Sequence, residues 1–92
     1  MDKKRLANLP GAEIILKGLS DLSSGRVSEE ACAVLMAKSR LRALGLSIPS
    51  TPVQDPERKL YELLQSKYDN GAHSKFKAYE RRLHSFLRAA GY

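Results

Sequence analysis

Ninety-two residues, 42% of them hydrophobic and 28% charged, suit one globular domain with an ordinary core and exclude both overall disorder and a deep cleft between subdomains. The net charge of +6 is unevenly spread: eight Lys/Arg accompany six Asp/Glu over residues 1–55, and eight accompany four over residues 56–92, which favours an anionic partner. Cys32 is the only cysteine, so an intrachain disulfide and a cysteine-based metal cluster are excluded, and no run approaches the ~18 apolar residues that would span a bilayer.

Residues 1–8 read as a loose basic start, with Pro10, Gly11 and Glu13 interrupting any apolar segment of signal-peptide length. Cytoplasmic residence is the expectation. A first helix is predicted over about 10–24, with Pro10 in its first turn and Ser23-Ser24-Gly25 as its end. Leu9, Ala12, Ile15, Leu16, Leu19 and Leu22 share one side of it. Ile14 falls about 100° away from that side, among Glu13, Lys17 and Asp21, and is marked as a candidate contact with another chain.

Ser28-Glu29-Glu30 is a helix start, a capping hydroxyl followed by acids at the positive end of the dipole. Val27, Ala31, Val34 and Leu35 share the face that follows, and continuing it would place Lys38 in its middle. The pattern therefore predicts one helix over about 28–37 and a short second piece over about 39–45, capped by Ser39 and stopped by Gly45. Leu46 and Ile48 are expected to tuck back into the core. Residues 46–55 form a proline-containing connector. Asp55-Pro56-Glu57 then reads as N-cap, first helical residue and first-turn acid of a helix over about 56–69, with Leu60, Tyr61, Leu63, Leu64 and Tyr68 on its apolar face.

Asp69-Asn70-Gly71 is a tight turn, so the last two helices should form an antiparallel hairpin. The final helix, about 73–90, has the clearest periodicity in the chain. His73 or Ser74 could cap its start, and Gly91 is a natural stop. Phe76, Tyr79, Leu83, Phe86, Leu87 and Ala90 form one apolar stripe, whereas Lys77, Arg81, His84 and Arg88 form a basic row about 110° round from it. Like charges four apart destabilise a helix by a few tenths of a kcal/mol per pair, so the row is not there for local stability. The fold class is all-α: a small orthogonal or up-down bundle of four to five helices in a single domain spanning 1–92.

Catalytic and cofactor motifs are missing: no dinucleotide or phosphate-binding glycine loop, no zinc-protease helix motif, no nucleophile elbow and no calcium loop. His73 and His84, eleven residues apart, lie about three turns from each other and cannot share a metal. No catalytic residue, metal or cofactor is assigned. Laid from Val27, a helix-turn-helix pattern finds small or apolar residues at Ala31, Val34, Met36, Leu41 and Leu44, and would project Arg40 and Arg42 from its second helix. Glu30 and Leu35 break that pattern, and an ordinary core helix with a kink explains the segment better. The chain thus reads as a binding module without catalytic activity. Its expected partner is nucleic acid, met by Lys77, Arg81, His84 and Arg88 with help from Arg40 and Arg42. The alternative is an acidic protein surface or self-association into a homo-oligomer, using Ile14, tyrosines not needed in the core, and the basic row.

Overall fold

The computed structural model describes residues 6–51 and 53–92; residues 1–5 of the expected loose start and Pro52 of the connector lie outside them. Among the described residues all regular structure is helical. The elements are α1 (Ala12–Ser23), α2 (Glu29–Met36), α3 (Lys38–Ala43), α4 (Pro56–Tyr68) and α5 (Ala72–Ala89), with a single 3-10 turn at Asp69–Gly71 between the last two. Among these helices none is long and apolar enough to cross a membrane.

Local chemistry sets most boundaries. The Ser28 hydroxyl accepts from the Ala31 amide at 3.1 Å and caps α2. The Asp55 carboxylate accepts from the Arg58 amide at 3.2 Å, with Pro56 as first residue of α4. At the end of α5 the Tyr92 and Gly91 amides close on the Leu87 and Arg88 carbonyls, at 2.9 and 3.1 Å, the paired bonds that a left-handed glycine makes available. Other boundaries differ from expectation. Gly11 takes φ 79° and ends the preceding turn, so α1 starts at Ala12 and Pro10 stands outside it. The break after α2 falls at Ala37, which is buried, and Ser39 sits inside α3 without capping it. Neither His73 nor Ser74 caps α5; the 3-10 turn runs straight into it.

The eight residues of α2 occupy the centre. Ala31, Cys32, Ala33, Val34 and Leu35 are all buried, the mark of a helix enclosed on every side rather than one lying on a surface. One side of α2 meets α1, the end of α5 and α3, around Ile15, Val34, Leu41 and Phe86. The other side meets the α4–α5 hairpin, where Cys32 joins Leu60, Leu64, Ala72 and Phe76. Tyr61 packs its ring 5.5 Å from that of Phe76 across the hairpin. The expected apolar stripe of α5 is realised: Phe76, Leu83, Phe86 and Leu87 are buried, with Tyr79 and Ala90 packed at its border. Ile48 is buried and Leu46 half-buried, so the connector lies against the core. Leu6 is fully buried too, and the start of the chain is tied down at that residue rather than loose.

Two further corrections concern exposure. Ile14 is only 5% exposed and belongs to the intrachain core, so it presents nothing to another chain. Its face of α1 continues through Gly18 and Asp21, both buried, and packs on α2. A Cβ at Gly18 would lie 2.5 Å from the Glu30 carbonyl oxygen, so the two helix backbones cross in direct contact there. Val27 is 39% exposed and Tyr68 36%, although both were placed on apolar faces. The Tyr68 ring lies beside the Lys75 and Lys67 ammoniums, at 4.9 and 5.4 Å.

Candidate functional site

The two flanks of α5 have opposite fates because of where the carboxylates fall. The start of α2 brings Glu29 and Glu30 toward the flank carrying Tyr79 and Arg82. The Tyr79 hydroxyl donates to Glu29 at 3.0 Å, and the same carboxylate takes the Lys67 ammonium at 3.5 Å. Burial first, and then this donation to Glu29, push the Tyr79 hydroxyl well above the ordinary tyrosine range. Arg82 pairs with Glu13 of α1. Lys17 bonds Asp21 at 2.8 Å and reaches Glu30 at 3.6 Å. The buried Asp21 carboxylate also accepts from the Ser28 hydroxyl at 2.6 Å. The Lys17 bond first, then the Ser28 bond, hold its carboxyl below the usual aspartate value. The acids of α1 and α2 are therefore taken up on this flank, together with Lys17, Lys67 and Arg82.

The other flank keeps its positive charge. Lys77, Arg81, His84 and Arg88 are all exposed, in the row the spacing predicts. Arg40, half-buried on α3, faces them across a groove of about 580 Å3. Arg40, Lys77, Arg81 and His84 line it together with Glu80 and Ser85, and Met36 and Leu83 also contribute. Since Leu83 is buried and Met36 half-buried while most of the polar lining is exposed, the two apolar side chains form the floor and the cations the rim. Glu80 holds Lys77 at 3.3 Å. Among the described residues no carboxylate oxygen lies within 4.0 Å of Arg40, Arg81 or Arg88. A rim with three cations and a single carboxylate, which pairs with Lys77, carries a net positive charge.

Of the six expected binding residues, four meet here: Arg40, Lys77, Arg81 and His84. Arg88 continues the row beyond the groove, and Arg42 is exposed on α3 without lining it. The helix-turn-helix arrangement is not formed. The piece carrying Arg40 and Arg42 has six residues and follows α2 after one, where that motif uses a turn of about three or four residues before a full recognition helix. Sequence reasoning missed the floor. Met36 and Leu83 read as packing residues, and nothing in their spacing marks them as the apolar base of a groove.

Chemically, the arrangement offers an apolar patch ringed by donors for anionic oxygens. The buried thiol of Cys32 lies away from the groove, on the hairpin side of α2, and burial raises it above the usual cysteine range. Compared with protein-family models, with curated proteins and with solved structures, the chain matches none.

Proposed function

We propose that this chain is a small non-catalytic module that binds nucleic acid through phosphate contacts from Arg40, Lys77 and Arg81, assisted by His84 and, further along the row, Arg88. One observation carries the reading: cations from two separate helices border one groove, and its arginines have no carboxylate partner among the described residues. The neighbouring flank of α5, by contrast, is neutralised. Phosphate recognition needs clustered Lys/Arg that a polyanion can reach, and binding then releases condensed counterions; Arg40 and Arg81 are unpaired among the described residues, and the exposed Lys77–Glu80 pair is weak enough for a phosphate to replace.

The test is fluorescence polarisation of labelled single-stranded and duplex oligonucleotides at about 50 and 200 mM salt. With three to four phosphates neutralised, affinity for a single strand should fall about 15- to 50-fold over that range. Failure to bind either form at the lower salt removes the reading. The competing view, docking of an acidic protein surface or a second copy, loses its apolar anchor because Ile14 is internal. It keeps the shared charge and the exposed Tyr68 and Tyr92.

A further inference from the structure

We infer that the groove receives an unpaired nucleotide, so that the nucleic acid bound is single-stranded rather than duplex; this rests on the nucleic-acid reading above. Reading a duplex requires an element that projects into one of its grooves. The basic row here borders a depression instead, and the described residues across from it are Met36 at the end of α2 and Arg40 on the short α3. A duplex also presents its sugar-phosphate exterior and keeps its bases stacked inside, which would leave Met36 and Leu83 uncovered at the bottom of the groove. A single strand offers both kinds of surface at once. Its phosphates match Arg40, Lys77 and Arg81 on the rim, while a splayed base can lay its apolar face on the Met36–Leu83 floor.

The dimensions agree. A volume of about 580 Å3 falls within the roughly 300–1,000 Å3 of sites that hold compact organic ligands. Lys77 and Arg81 stand one turn apart, about 6 Å along the helix, so the rim meets the strand in more than one place. Glu80, 3.3 Å from Lys77, offsets part of that cation's charge, so Arg40 and Arg81 make the stronger phosphate contacts. The floor reads no base edge and carries no hydrogen-bonding code, so the preference expected is for unpaired strands in general rather than for one sequence.

Three labelled 12-mers test this at about 50 mM salt: a deoxythymidine strand, a mixed-sequence duplex, and a strand of abasic sites with the same phosphates. The thymidine strand should bind about 3- to 10-fold more tightly than the abasic one, the advantage expected when one base covers a small aliphatic floor, and more tightly than the duplex. Thymidine and abasic strands should lose affinity with salt at the same slope, since their phosphate contacts are the same. Met36→Gln, which keeps the side chain's length, should erase most of the thymidine advantage and leave abasic binding unchanged. A duplex that binds as well as the thymidine strand, or an abasic strand that does, overturns the inference and leaves the nucleic-acid reading standing. An undiminished thymidine advantage in a folded Met36→Gln protein overturns the placement of the base in this groove. If none of the three binds, both proposals fall.

Discussion

At the scale of single residues, contact between α1 and α2 depends on Gly18 having no side chain. Alanine is ordinarily the better helix former by about 1 kcal/mol, yet here its Cβ would meet the Glu30 carbonyl at 2.5 Å. Overpacking outweighs propensity, and Gly18→Ala should lower unfolding stability by about 1–3 kcal/mol in urea titration. The same seam explains Ile14. Its neighbours one and two turns along are Gly18 and Asp21, which do not look apolar, so the wheel drawn from the sequence put Ile14 in solvent. Asp21 is buried because Lys17 and Ser28 satisfy its carboxylate, a pairing that single-helix periodicity cannot show. Its folded-state pKa lies below the unfolded value. The stability it contributes is therefore present above the ordinary aspartate value of about 3.9, and is lost as pH falls through the folded value. Asp21→Asn should melt at a lower temperature than the parent at pH 7, and the two melting curves should converge below about pH 4. Tyr79→Phe removes the donor to Glu29, and a loss of about 1 kcal/mol is expected by chemical denaturation.

Among the elements, α2 differs from the rest in having no outer face along Ala31–Leu35. Its two sides serve separate groups of side chains, and Cys32 is on the side of the α4–α5 hairpin. A thiol reagent added to the native protein should therefore label Cys32 only as fast as the hairpin opens, and labelling should become immediate in denaturant. What was legible at this scale was whatever the chain decides locally. Ser28, Asp55-Pro56 and Gly91 mark ends because their own backbone bonds satisfy the helix termini. The stripe of α5 was legible because six positions repeat it. The enclosure of α2 was not, since the unbroken apolar run Ala31–Met36 has no period to distinguish one buried face from two. The start of α5 was legible to within one residue, but its cap was not: a 3-10 turn leads into Ala72, and neither His73 nor Ser74 caps it.

For the whole molecule, the distribution of charge follows from which carboxylates reach which cations. Arg81 and Arg82 are adjacent, yet Arg82 pairs with Glu13 of α1 while Arg81 has no partner carboxylate among the described residues. That distinction depends on a residue some seventy positions away in the chain, and no local pattern contains it. The basic row itself could be read from spacing; that Arg40 faces it and Arg42 does not could be learned only from the packing of α3. Reversing each charge separates the two. Arg40→Glu should weaken oligonucleotide binding about tenfold or more and flatten its salt dependence, whereas Arg42→Glu should weaken it by a much smaller factor. A measurement in which both substitutions cost the same would show that general surface charge, and not the groove, governs attraction.

Leu83 has a double membership, at the base of that groove and within the packed interior beside Phe86 and Leu87. Its replacement would unsettle the fold before it altered any preference for a guest. Substitutions that reshape this depression without disturbing the core are thus confined to the long polar side chains at its lip and to pliable Met36. The recess is open to retuning from above and anchored from beneath.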